Sequence, residues 1–314
     1  MHDAQVERVR AANLAIRDRI RTAVMREVVR ETRKFSPEEK RVQRIQESLE
    51  TNERAVQAAA AAGVPQAQLQ RMEAATAGQI DQIDAVLAVE VANAKTVIRR
   101  TTTLDLPGRR VRRDDEDLRD LETLAREHSL DQWQRMSLTR TQSIIANGDK
   151  PQIVLHPHVN RLATILPSRR LQPQHELRNL GVIPAWVFEG NYELEYRAPG
   201  DAKEVQIVGR EPGAGPSTIV VNVAPDLAFA MTGYTIYKDD KVVEEWGASD
   251  FRAVSGVFIP FKTRHALSYS RPGEYIAERE VEQVRINEPL PDGDATFAIP
   301  KDYRVSDLSQ NPKP

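Results

Sequence analysis

The chain has 314 residues, of which 40% are hydrophobic and 29% charged, with a formal net charge of -2 at pH 7. That length can bury a sizeable core, and the balance is that of a soluble globular protein rather than a disordered chain or a basic nucleic-acid binder. No window approaches roughly 18 consecutive apolar residues, so no transmembrane segment is expected. The lack of cysteine excludes disulfides, thiol catalysis, cysteine-held metal and lipidation at an N-terminal cysteine.

The composition changes along the chain. Of the 7 Phe, 7 Tyr and 3 Trp, only Phe35 and Trp133 precede Trp186. The Ala, Gln, Glu and Arg of the first part favour helix and the aromatic and β-branched residues of the second favour strand, which predicts an α+β fold. Ser36-Pro37-Glu38-Glu39 supplies a capping serine, a proline suited to the first helical position and acids that oppose the positive helix end. Val42, Ile45, Leu49 and Val56 then recur near helical spacing up to Gly63-Val64-Pro65, and Leu69, Met72, Ile80, Ile83 and Leu87 form a second stripe. These predict an antiparallel helical hairpin inserted over 37–93, each arm of about 25 residues running roughly 38 Å. The hairpin is either a docking arm for a protein partner or a self-contained pair packed on the sheet. A short helix is expected over Asp114 to Glu127, where acids lead into Leu118, Leu121 and Leu124.

The remaining segments read as strands. Thr96 to Leu104, Gln134 to Ile145, Ile153 to His156 and Leu162 to Leu166 are rich in β-branched residues between turn signals such as Asn147-Gly148. From Ala185 the alternation places Trp186, Phe188, Tyr192, Leu194 and Tyr196 on one face and Glu189, Glu193, Glu195 and Arg197 on the other, which predicts one long strand with an aromatic side. Thr218 to Val223, Tyr234 to Tyr237, Val242 to Trp246, Val257 to Thr263, Ala266 to Tyr269 and Tyr275 to Asn287 follow, with turns at Asp239-Asp240, Ser255-Gly256 and Arg271-Pro272-Gly273. Consecutive strands are therefore antiparallel. A large sheet of this kind must curl or be covered, so the expected form is a half-open barrel with helices over its mouth. The aromatic residues 186, 188, 192, 194 and 196 would line its ligand cavity.

The stretch Asp250-Phe251-Arg252-Ala253-Val254-Ser255-Gly256-Val257-Phe258-Ile259-Pro260, then Asn287-Glu288-Pro289-Leu290-Pro291-Asp292 and Phe297-Ala298-Ile299-Pro300, resembles the end of LolA-like outer-membrane lipoprotein-sorting proteins. The resemblance covers 185–307. It implies a half-open antiparallel barrel with a helical lid whose cavity shelters the acyl chains of a lipoprotein, a periplasmic location, and neither catalysis nor a cofactor. It also implies that 1–36 forms an N-terminal helix from Asp3 and a first strand near Thr22 to Lys34, that 94–308 is the main β-domain, and that 309–314 is a flexible tail. Met1 to Ile20 is laced with charge and has no export signal, which leaves a cytoplasmic protein or one whose signal was removed.

Other motifs are better explained without chemistry. His156-Pro157-His158 reads as a surface loop, and His128, His175 and His265 are dispersed without metal-ligand spacing. Arg109-Arg110-Val111-Arg112-Arg113 can pair with the acids that follow it, and the glycines of 209–216 lead into no helix and form no phosphate loop. Glu193 with Glu195, and Glu278 with Glu280 and Glu282, read as solvated strand faces. The expected function is a non-enzymatic carrier or binding protein for lipoprotein acyl chains or another apolar ligand, with no cofactor and no metal. The alternative is an envelope assembly scaffold working through the hairpin, with a filled β core.

Overall fold

A computed structural model describes residues 2–167, 176–198, 203–213, 217–268, 274–290 and 296–309. In chain order these form α1 (His2–Arg19), β1 (Thr22–Lys34), α2 (Pro37–Ala61), α3 (Gln66–Ala92), β2 (Lys95–Asp105), β3 (Arg110–Asp117), α4 (Leu121–Glu127), α5 (Gln132–Leu138), β4 (Gln142–Asn147), β5 (Gln152–His156), β6 (Leu162–Leu166), α6 (Ala185–Glu189), β7 (Glu193–Arg197), β8 (Val205–Arg210), β9 (Ser217–Ala224), β10 (Ala230–Lys238), β11 (Lys241–Val254), β12 (Val257–Ser268), β13 (Glu274–Ile286) and β14 (Arg304–Asp307). All strands belong to one 14-stranded sheet in the order β14-β6-β5-β4-β3-β2-β1-β13-β12-β11-β10-β9-β8-β7. β1 is thus central, between a meander that leaves through β2 and one that returns through β13. Among the described residues only the β14–β6 pair is parallel. β14 and β7 remain edges, so the sheet curls without closing, and α1 with residues 176–189 covers its concave side: an α+β half-open barrel.

Local chemistry explains most elements. Ser36 caps α2 by accepting from the Glu39 backbone N–H, and Asp131 and Gln134 form a reciprocal capping box on α5. At Asp239-Asp240 and Ser255-Gly256 both central residues have positive φ, the backbone twist that joins two right-twisted strands tightly. Tyr269 and the Arg271-Pro272-Gly273 turn, with His175, Pro291-Asp292 and most of the tail at 309–314, lie outside the described residues.

Four expectations are corrected. Residues 185–189 form a helix, not the start of a long aromatic strand, and β7 is confined to Glu193–Arg197. Pro184 fixes the first turn, accepting from Val187 N–H, and the helix buries Val187 while leaving Trp186 36% exposed. The acids Asp114 to Asp117 lie in β3 rather than in a helix, because β2 places arginines opposite them: Arg100 meets Asp115 at 2.7 Å and Arg99 meets Glu116 at 3.1 Å. Residues 132–138 are the capped helix α5, leaving only Gln142–Asn147 as strand. Finally, the stripe on α2 is only partly covered, with Ile45 and Val56 half-buried. No residue of α2 is buried, Val42 and Leu49 are exposed, and the arms meet through Arg41–Asp84, Arg44–Glu90 and Ser48–Gln79. β8 and β14 are strands that the sequence reading did not mark.

The outward face of the central strands is an ion ladder. Arg26 and Arg99 share Glu282, Arg30 faces Glu280, and Arg264 faces Glu245. A lipid-facing barrel needs an apolar band there, and these strands carry none. Among the described residues no helix is long and apolar enough to cross a membrane.

Candidate functional site

The concave face is covered by two elements. From α1, Val6, Val9, Asn13, Ile16 and Ile20 recur at helical spacing and are all buried. The second cover is residues 176–189, here called the strap, whose Leu177, Leu180, Val182, Ile183 and Val187 are buried against the sheet. Ile16, Ile20, Leu177, Leu180 and Val182 meet Ala23, Met25, Leu104, Val111, Ile259 and Val281 of the strands in the largest apolar cluster. The covers are tied together by Asn13, whose side chain donates to Ile183 O (3.1 Å) and accepts from Ile183 N–H (2.8 Å). Gly181 turns the strap at φ 80°, a conformation glycine adopts without strain, and its carbonyl accepts from Met231 N–H at 2.8 Å.

At the end of the sheet where β1 begins, a cleft of about 650 Å³ opens onto this cluster. Its walls are α1 (Asn13, Leu14, Arg17), the turn Leu106-Pro107, and the strap (Val182, Ile183, Phe188). Ile20 and Leu177 form its inner, apolar side, while Arg10, Arg21, Arg109, Asp18, Asp149 and Glu189 ring it with mixed charge. The volume and the division into apolar interior and polar rim are those of a small-ligand site.

Deeper in, a belt of buried charge crosses the concave face. The register aligns Asp115 with Arg100 and Arg100 with Glu27 across β3, β2 and β1. Arg113 lies one inward position nearer the cleft and Arg279 one beyond, so the belt is diagonal. Glu27 is 1% exposed and lies 3.3 Å from Arg279, beside the register shift between Arg26 and Glu27 that re-aims the strand. The strap adds buried Glu176, which accepts from Asn179 at 2.8 Å. Burial pushes the Glu27 carboxyl up, against the pull of Arg279 and Arg100. Burial opposes ionisation of Asp115 and Glu176 as well, but there the arginines win: Arg100 first for Asp115, Arg279 and Arg113 for Glu176, and both carboxyls are held below their ordinary range. Beyond the belt, Val29, Ile98 and Ala277 form a separate small apolar cluster.

A second polar group pins the strap. Arg178 donates to the Tyr234 hydroxyl at 2.6 Å, Tyr234 in turn donates to Glu244, and His265 Nε2 lies 2.8 Å from Glu244. Tyr234 stacks on Trp246 and meets Trp186 edge-on. Burial, then Arg178, lowers the His265 pKa in spite of Glu244, and burial raises that of Tyr234.

The sequence-predicted residues are distributed unequally over this geometry. Phe188 lines the cleft. Tyr192, Leu194 and Tyr196 are partly buried against the other large apolar cluster, under β8 to β11, and Trp186 sits on the outer side of α6. The five do not share one strand face. What the sequence reading missed is the belt, although a signal exists: Glu27 occupies an inward phase between Met25 and Val29, and Arg100 one between Ile98 and Thr102. Arg112 pairs with Asp114 at 2.9 Å and Arg113 with Asp115 at 3.5 Å, the local neutralisation expected of that basic run, whereas Arg109 pairs with Asp149 and Arg110 with Asp105, outside the acids that follow it. Among the described residues, no group of three or more His, Asp or Glu is placed to hold a metal.

No family model matches the chain, and no curated protein does. Among solved structures it is similar to a LolA superfamily protein from Nitrosomonas europaea, with 11% identity, a TM-score of 0.41 and coverage of 92% of this chain and 96% of that one. A DUF1329 family protein from Desulfovibrio piger gives 10% identity and a TM-score of 0.47 over 93% and 97%. An outer membrane lipoprotein-sorting protein domain from Vibrio parahaemolyticus gives 7% and 0.41 over 90% and 94%. The open sheet covered on its concave side by α1 and the strap is the half-open barrel with helices over its mouth that the sequence led one to expect.

Proposed function

We propose that the protein is a non-enzymatic carrier or binding protein for an apolar ligand, and that a lipid-modified protein's acyl chains are the ligand its LolA-like sequence features favour. The observation that carries this reading is the cleft, whose inner wall is continuous with the largest apolar cluster and whose rim is polar. The two covers, joined to each other by Asn13, reach the sheet through apolar contacts, the Arg178–Tyr234 hydrogen bond and the Met231 N–H to Gly181 O bond, so moving them aside would leave the strand ladder intact. An apolar chain entering beside Leu14 and Phe188 would replace the contacts that Ile16, Ile20 and Leu177 now make. A periplasmic location belongs to the same reading, and fractionation of the cells that make the protein checks it.

The test uses an apolar fluorescent probe. Leu14 lines the cleft yet is already 37% exposed, so a charge there costs the fold little. The parent protein should bind the probe, and Leu14→Glu should lose most of that binding at an unchanged melting temperature. Equal binding by both proteins would remove the cleft from the reading. A scaffold working through α2 and α3 is favoured by one observation, the outward Val42 and Leu49, and would be supported by a partner whose capture depends on them.

A further inference from the structure

We propose that the diagonal belt of Asp115, Arg100, Arg113, Glu27 and Arg279 is a depth stop that limits the length of apolar chain the concave face accepts, so that the ligand class is amphiphiles with a short buried segment. This rests on the carrier reading above and sharpens it. Between the cleft and the belt β1, β2 and β3 each offer only two inward rows. The first is Ala23, Leu104, Val111 and Ile286, joined by register; the second begins with Met25 on β1 and is already polar at Thr102 and Arg113. The third row is Glu27, Arg100 and Asp115 on β1, β2 and β3, and ends on β13 in the apolar Val281.

From Ala23 to Glu27 is four residues, or roughly 13 Å of strand at about 3.3 Å per residue. An alkyl chain pushed past that point would have to lie on five ionised or ionisable groups in place of their partners, which is strongly unfavourable in a low-dielectric interior. Thr102 Oγ1 and Thr263 Oγ1 are buried there without a hydrogen-bond partner, so the belt wants further polar contacts rather than methylenes. The belt also differs from an ordinary structural ion pair in position. It separates two apolar surfaces of one sheet face, the large cluster on the cleft side and Val29, Ile98 and Ala277 beyond, where an uninterrupted core would have cost nothing in charge burial.

The experiment is a binding series of straight-chain alcohols of increasing length, read by displacement of the apolar probe. For the parent protein, affinity should rise severalfold per added methylene pair, then stop rising or fall at a defined length. A paired replacement of one cross-strand ion pair, Arg100→Met with Asp115→Leu, keeps the net charge and should move that limit to longer chains, with folding checked by circular dichroism and thermal unfolding. Met25→Phe, which thickens the row in front of the belt, should move it to shorter ones and serves if the double variant does not fold. A monotonic rise through the whole series, or a limit that stays put in the folded variants, overturns the depth stop while leaving the carrier standing. Binding at no length overturns both.

Discussion

α1 and α2 are both long helices of the N-terminal third, and they use their apolar residues in opposite ways. α1 commits Val6, Val9, Ile16 and Ile20 to the sheet, whereas α2 buries nothing, turns Val42 and Leu49 outward and holds its partner through ion pairs. Periodicity alone does not tell a helix that covers a core from one that stands away from it. The difference lies in what surrounds the stripe: on α2 the positions between the apolar residues carry Arg41, Arg44 and Ser48, which find Asp84, Glu90 and Gln79 on α3. The base of the hairpin is apolar, where Ala88, Val89 and Ala92 meet Leu121, Leu130 and Leu138, and Leu69 is buried near its tip.

That contrast predicts where the molecule breaks. The largest effect is expected at Arg119, at the foot of the hairpin. Its guanidinium bonds Asp117, Asn93 and the carbonyls of Lys95 and Leu138, with both members of the Arg119–Asp117 pair nearly inaccessible. Arg119→Ala leaves Asp117 buried without its cation and should cost about 3–5 kcal/mol in chemical denaturation. A loss below about 1 kcal/mol would mean that water enters and replaces the arginine.

Next comes the comparison of the helices themselves. Ile20, 1% exposed at the end of α1, should cost about 2–5 kcal/mol on truncation to alanine. Leu49→Ala on α2 should change stability by no more than about 0.5 kcal/mol. Equal losses would show that α2 is covered in solution, as the scaffold reading requires.

The smallest effect concerns pH. The folded-state pKa values of Glu176 and Asp115 lie below their ordinary values of 4.5 and 3.8, so both contribute stability above those values and lose it as pH falls through the depressed ones. Glu27 has the opposite sign, since burial raises its pKa from 4.5 and acidification relieves its cost. Asp115 and Glu176 therefore pull urea midpoints down between pH 5 and pH 3, and Glu27 opposes them. Glu176→Gln should flatten that slope, and an unchanged slope would place the acid sensitivity elsewhere.

The sheet was largely legible because most strands announce themselves twice, by β-branched runs and by turns such as Asn147-Gly148 and Ser255-Gly256. Leu162–Leu166 matches to the residue, and the meander from Ser217–Ala224 to Glu274–Ile286 differs only in how strands are divided. The cavity was not legible. Alternation from Trp186 to Tyr196 is compatible with a strand, but Pro184 starts a helical turn and Val187, a residue of the opposite phase, is the one buried. The acids of β3 read as a helix N-terminus because their partners Arg99 and Arg100 come from another strand, and pairing across a sheet has no fixed spacing in sequence. The strap's Glu176 is more than sixty residues away in sequence from every belt residue, so only the fold brings these charges together.

The carrier reading is tested most directly by native mass spectrometry of the protein purified without detergent and then incubated with a lipid extract. The account predicts a retained or acquired mass of one amphiphile per chain, released when Leu14→Glu is introduced. A protein that carries no added mass under either condition, and excludes apolar probes as well, would contradict it and leave a filled, structural sheet.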